Sequence, residues 1–270
     1  MKTKAPGQEN PATLDFATVA GIALALAGVV GGLLMEGGDI KDIAQLTAAM
    51  IVTGGTLGAV LVTTPVQVLR GAARRFSSVF YDRRLAPEAY IEELLGFAAR
   101  ARKGGIASLE QEVRLIPDPF LRKALTLGID GTEIKELKAI MQLQIDMDEH
   151  AGITEAKVYE AAGGYAPTVG IIGAVLGLIQ VMKNLENIEE VGHGIAVAFV
   201  ATVYGVGLAN LFLLPAASKI KSRVKQAAIL NELVLEGVCS IVEGLNPQMI
   251  KQKLEAFTQE QPRTGIVTSS

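Results

Sequence analysis

The sequence alternates long uncharged, apolar runs with short charged stretches. Between Asp15 and Glu36 stand 20 residues without Asp, Glu, Lys or Arg; between Asp42 and Arg70 there are 27, between Glu160 and Lys183 22, and between Glu190 and Lys219 28. About 20 mainly apolar residues in a helix cross the hydrocarbon core of a bilayer, so every run is long enough to span it. The pattern predicts an all-α integral membrane protein with transmembrane helices at 15–35, 43–69, 161–182 and 191–218. It also predicts that the first run is retained rather than cleaved, because it exceeds the apolar stretch of a leader and is followed by Glu36 and Asp39 instead of small residues.

The spans form two hairpins, closed by short turns at Glu36–Asp42 and Lys183–Glu190. Each turn holds one basic residue, Lys41 or Lys183, whereas Arg70, Arg74, Arg75, Arg83 and Arg84 follow the second span and Lys219, Lys221, Arg223 and Lys225 the fourth. The positive-inside rule then places the N-terminal segment 1–14, the segment 70–160 and the C-terminal helix and tail 219–270 in the cytoplasm of an inner membrane. The segment 70–160 reads as a compact helical domain. Leu69, Ala72, Ala73, Phe76 and Phe80 continue the second span as one apolar stripe. Pro87 opens a helix that Gly104-Gly105 stops, Ser108 with Gln111 suggests a capping box, and Asp118-Pro119 opens a further helix. From Thr132 an amphipathic stretch with Ile134, Leu137, Met141 and Ile145 on one face leads to the third span. No stretch alternates with period two. The ending Thr264–Ser270 is short and polar and is expected to be disordered.

Half of the residues are apolar, 20% are charged, and the net charge is −3, which gives no footprint for nucleic acid. The single Cys239 allows no internal disulfide. There is no His/Cys cluster, no phosphate-binding loop and no nucleophile–base motif, so no metal, cofactor or catalytic site is expected. Small residues recur at spacing four, in Gly28/Gly32, Gly54/Gly58, Gly173/Gly177 and Ala201/Gly205; they fit close helix packing, either within one subunit or in an oligomer around a shared centre. No Asp, Glu, Lys or Arg lies inside a span, and His193 and Asp15 fall near the edges. A proton relay needs a titratable group, so a partner has to bring it while this chain supplies the walls. Polar wall candidates are Thr168, Thr202, Tyr204 and Asn210, although Thr202 can instead bond the Ala198 carbonyl of its own helix. Pro167 and Pro215 leave the Gly163 and Leu211 carbonyls without their helical donors, as a kink or as a hinge.

The stretches Gly163–Ile179 and Gly194–Val206 through Asn210 and Pro215, with Arg102–Glu110 in the cytoplasmic segment, resemble the MotA family of flagellar stator proteins, as does the two-hairpin layout. The resemblance implies a ring of five such subunits around two copies of a single-span, peptidoglycan-anchored MotB-like partner, whose membrane Asp carries the ion. It implies that ion flow becomes torque on the rotor protein FliG, met by Arg102, Lys103 and Glu110. It assigns Pro167 and Pro215 to the conformational step and Thr202 to the pore beside that Asp; Thr168 and Tyr204 stay candidates for the ion path on their polarity alone. Gly164 departs from relatives that carry an acidic residue there. Sodium-driven relatives have a Thr at the position of Ala174, acting with the one matched by Thr202; the methyl of Ala174 therefore implies H+ rather than Na+. An ExbB/TolQ-like energiser of outer-membrane processes is the alternative, though such proteins lack the first hairpin. A solute channel acting alone would need ionisable groups of its own.

Overall fold

The computed structural model describes residues 13–82 and 87–259. In chain order the elements are β1 (Thr13–Leu14), α1 (Phe16–Met35), the single turn α2 (Ile40–Ile43), α3 (Leu46–Thr63), α4 (Val66–Phe80), β2 (Tyr81–Asp82), α5 (Pro87–Gly104), a 3-10 turn (Ile106–Leu109), α6 (Glu110–Val113), α7 (Pro119–Ile129), α8 (Ile134–Lys183), α9 (Ile188–Gly207), a π-helical turn (Leu208–Leu213), α10 (Leu214–Val242) and α11 (Pro247–Gln259). The expectations for Arg83, Arg84, residues 1–12 and the tail from Thr264 lie outside the described residues. The described residues divide into two compact units, one from Leu14–Asp82 and Ala151–Arg223, the other from 87–150 and 224–259.

In the first unit α1 is bare. None of its residues is buried, and Phe16, Leu24 and Met35 are 81%, 76% and 91% exposed. Water would penalise so much apolar surface, while lipid or a neighbouring subunit accepts it. The stretch Ile40–Thr63 and the long helices running through α8 and from α9 to α10 are likewise long and apolar enough to cross a membrane. Caps fix where the helices begin: Asp15 accepts the amide of Thr18, Asp39 and Asp42 form a reciprocal capping box, and Asn187 accepts the amides of Glu189 and Glu190.

The second span does not run on into the next helix as the sequence suggested. Proline clashes with a helical residue before it, and Thr64 accordingly sits at φ −126°, ψ 128°, so α3 ends at Thr63 and α4 starts afresh at Val66. A second departure is the short pairing of β1 with β2, where no alternation foretold a strand. A third is Ser108. It belongs to the 3-10 turn and its hydroxyl donates to the Gly105 carbonyl, so the capping box with Gln111 does not form.

The closest packing joins α8 to α9. A methyl built on Gly205 would lie 2.5 Å from the Ala166 carbonyl oxygen, one on Gly177 2.6 Å from that of Gly194, and one on Gly170 2.8 Å from that of Ala201. Gly173 would meet the Ala201 methyl at 2.7 Å. These glycines let the two backbones touch, as small residues do in membrane helix pairs. The small residues of the third and fourth spans therefore serve packing within one subunit, whereas Gly28, Gly32, Gly54 and Gly58 face open space in the single chain.

The second unit is a helical domain around Leu94, Phe97, Leu121, Leu125, Leu137, Met141, Val238 and Leu254, drawn from α5, α7, α8, α10 and α11. Asp118 caps α7, accepting the amides of Phe120 and Leu121, with Pro119 as the first helical residue. Gly105, at φ 77°, ends α5 as anticipated. Cys239 is buried. The same Asp118 accepts the Tyr90 hydroxyl at 2.5 Å, beside Glu93, whose Oε2 is buried without a hydrogen-bond partner. Burial pushes the Glu93 carboxyl up to about 7, with the Asp118 charge adding to the effect and Arg100 opposing it.

Two outcomes follow from this packing. Gly205→Ala forces a methyl against the Ala166 carbonyl and should cost about 1–3 kcal/mol, lowering the melting temperature of the detergent-solubilised protein; Gly21→Ala, with nothing within 4 Å, should leave it unchanged. The folded state holds the Glu93 proton more tightly than an unfolded chain, whose carboxyl titrates near 4.5. That contribution is fully present below pH 4.5 and fades as pH rises towards 7. Melting curves across that window should show the decline in the native protein and a flatter profile in Glu93→Gln.

Candidate functional site

The residues singled out in the spans lie on the α8–α9–α10 path. Pro167 sits within an unbroken α8, where it has no N–H for the Gly163 carbonyl. Thr168 is exposed, and its hydroxyl donates to the Tyr165 carbonyl at 2.8 Å. Ala174 is half-buried next to Gly173, on the same face of α8 as Gly170 and one turn further along. Thr202 stands opposite Gly170: its Cα lies 3.5 Å from a methyl built there. Its hydroxyl donates to the Ala198 carbonyl at 3.2 Å, the bond that the sequence left open. The donor is thereby used, but the oxygen keeps lone pairs that can accept a proton donor or help to hold water.

Tyr204 faces elsewhere. Its hydroxyl donates to the Ile43 carbonyl, tying α9 to the link between α2 and α3, and the ring packs on the cluster of Ala48, Val52, Val200 and Ala201. Pro215 is the second residue of α10 and is preceded by the π-helical turn Leu208–Leu213. A proline cannot continue the hydrogen-bond ladder, and here the fault is spread over the wider π turn rather than confined to the carbonyl of Leu211. Asn210 bonds its own helix at the Val206 carbonyl. Leu213 and Leu214 pack on Gly163, so the turn before Pro215 meets the turn before Pro167.

In the helical domain Arg102 and Lys103 are exposed at the end of α5 and have no ion-pair partner among the described residues. Arg102 lines a cavity of ≈ 180 Å³ with Ala98, Ile106, Gly244 and Leu245. Glu110 pairs with Arg114 at 2.7 Å, both well exposed. The pair that bridges the Gly104-Gly105 break is Arg100 with Glu112, at 3.0 Å, so Arg102 and Glu110 are not bonded to each other and both face solvent.

Sequence reasoning missed a charged clamp. Asp15 accepts Lys219 at 2.5 Å and Arg223 at 2.8 Å, Arg223 also donates to the Tyr81 carbonyl at 3.0 Å, and the Asp15 amide donates to the Phe80 carbonyl at 2.7 Å. The start of α1, the end of α4 and the start of α10 are thus joined by residues with no regular spacing along the chain. At the same end Arg75 pairs with Glu155, Lys221 with Glu160 at 2.6 Å, and the Tyr159 hydroxyl donates to the Ala72 carbonyl at 2.8 Å.

Comparison with known proteins agrees with this architecture. Residues 112–233 match the MotA/TolQ/ExbB proton channel family and residues 19–104 match the Motility protein A N-terminal region. The chain is 32% identical to Motility protein A of Bacillus subtilis, covering 93% of both proteins, and 30% identical to the chemotaxis protein PomA of Vibrio alginolyticus, covering 93% of this chain and 98% of that one. Among solved structures it resembles C. jejuni MotAB at a TM-score of 0.87 and 28% identity, over 94% of this chain and all of that one. It resembles the flagellar MotAB stator complex of Bacillus subtilis at 0.81 and 33%, over 87% and 93%. The match to the first hairpin favours a stator over an ExbB/TolQ-like energiser. The chain belongs to the MotA branch of the MotA/TolQ/ExbB proton channel family and is a multi-pass membrane subunit of a flagellar stator.

Proposed function

We propose that five copies of this chain surround two copies of a MotB-like, single-span, peptidoglycan-anchored partner in the inner membrane, and that the complex conducts protons and turns their flow into torque on the rotor protein FliG. Both termini and residues 70–160 face the cytoplasm in this reading. The observation that carries it is the absence of Asp, Glu, Lys and Arg from all four spans. A conducting chain of this kind supplies shape and hydroxyls, and the partner supplies the carboxylate.

Proton coupling rests on Ala174 and Thr202. Sodium must exchange its hydration shell for several oxygen ligands, whereas a proton moves through a carboxylate and ordered water. At the level where α8 meets α9 the chain offers one threonine hydroxyl, already donating to its own helix, and a methyl. Pro167, Thr168 and Pro215 flank this level, and the contact of Leu213 and Leu214 with Gly163 makes the two proline turns one movable joint. Tyr204 steadies α9 from the side. Arg102, Lys103 and Glu110 can meet the rotor, because all three are exposed and Arg102 and Lys103 have no ion-pair partner among the described residues.

Tethered cells should keep rotating in sodium-free medium at fixed pH and stop when a protonophore is added; rotation that needs sodium and survives the protonophore would show the ion to be sodium. For the rotor contact, exposed ion pairs are worth about 0–1 kcal/mol each, so Arg102→Gln alone should slow swimming only partly. Arg102→Glu together with Glu110→Lys should abolish most of it at unchanged protein level, and opposite reversals on the rotor protein should restore part. A double variant that swims normally would place the contact elsewhere.

A further inference from the structure

Thr56 is the one polar residue in the buried stripe of α3, which runs Ala48, Val52, Thr56, Val60. It is 3% exposed, and its hydroxyl has no hydrogen-bond partner. Its neighbours in the same helix solve the problem locally: Thr53 donates to the Ala49 carbonyl at 2.6 Å and Thr63 to that of Ala59 at 3.0 Å. A buried, unpaired hydroxyl is costly, and valine would fill the same volume without that cost. The apolar cluster containing Val52 takes in Leu208, and the cluster containing Val60 takes in Leu213. Thr56 lies between Val52 and Val60 on that stripe, one helical turn from each, and the π-helical turn runs from one of those two leucines to the other. One residue earlier, Gly55 packs against Val169, two positions beyond Pro167.

We infer that the Thr56 hydroxyl is a reserve hydrogen-bond donor for a backbone carbonyl of the turn Leu208–Leu213, engaged when that turn changes register during the stroke. A π turn has one residue more per hydrogen-bonded loop than an α turn, so passing between the two moves carbonyls off the helix ladder. Such a carbonyl in hydrocarbon needs a donor at once, and no water is at hand to give one. Thr56 gives it, and so makes the second conformation accessible from the first. It is a positioning residue, since it touches backbone and not the ion. The inference rests on the stator reading above and adds α3 to a movement otherwise confined to α8, α9 and α10.

A neutral hydrogen bond present in only one of two states shifts their balance by about 2- to 10-fold. Thr56→Val and Thr56→Ser are compared in a strain whose motility depends on this chain, with rotation of tethered cells as one readout and melting of the purified complex with its partner as the other. Thr56→Val should assemble, melt no lower than the native complex, and slow rotation within that range; Thr56→Ser should rotate at near-native speed. Native rotation in Thr56→Val overturns the inference. So does a lower melting point in Thr56→Val, because the hydroxyl is then already bonded at rest, and so does equal slowing in Thr56→Ser. If the wild-type chain does not restore motility to the deletion strain, the stator reading itself fails; a neutral Thr56→Val in a motile strain removes only the role of Thr56.

Discussion

Everything in the membrane unit depends on how two helices hold together where hydrophobicity cannot drive them. In lipid a leucine gains little by facing another leucine, so association comes from close van der Waals contact. Gly170, Gly173 and Gly177 on α8 and Gly194, Ala198, Ala201 and Gly205 on α9 supply that contact, bringing carbonyl oxygens to within the reach of a single added methyl. α3 then lies on this pair through Gly55, Ile51 and its own buried stripe, and Tyr204 ties α9 to the start of α3. Dispersion falls off steeply with distance, so contacts this close resist separation along the seam.

One end of the seam is where the backbone ladder is faulty. Pro167 removes a donor from α8, Pro215 removes one from the chain after α9, and the π turn spreads the second fault over six residues. The two faults face each other through Gly163, Leu213 and Leu214. A pair of regular helices would leave no alternative arrangement of hydrogen bonds. Two facing faults leave the ladder incomplete on both sides of the contact, the feature on which the proposed conformational step relies.

Much of this was legible in the sequence, because uncharged length and simple helix punctuation are local properties. The four spans, the helix opened by Asp118-Pro119 and the stop at Gly104-Gly105 each follow from residues within a few positions of one another. The break at Thr64-Pro65 was also written locally, but a long run without charge looks the same whether or not a proline divides it. Ser108 has the right spacing for a capping box, and the 3-10 turn took its hydroxyl first. Other features had no local signal. Thr56 differs from Thr53 and Thr63 only in the side of α3 it occupies, and the Asp15 clamp joins positions 208 residues apart. The π turn shows in the sequence only as Pro215, which specifies a missing donor but not how many residues share the loss.

The clamp fixes the end of the spans that adjoins these faults. Asp15 with Lys219 and Arg223, Arg75 with Glu155, Lys221 with Glu160, and Tyr159 with the Ala72 carbonyl all lie at the end of the spans where α1 begins, α3 gives way to α4, and α10 leaves the membrane. Asp15 and Arg223 are largely shielded from water, and separating them would strand a charge in a poorly solvated place, a cost well above that of an exposed pair. This end is therefore held by interactions that resist separation, while the glycine seam holds the middle. Between the two lies a stretch of about two helical turns containing Pro167, the π turn and Pro215, and it contains no ion pair. Motion confined to that stretch can turn on a change of a few hydrogen bonds, an energy that the passage of one ion down its gradient readily supplies.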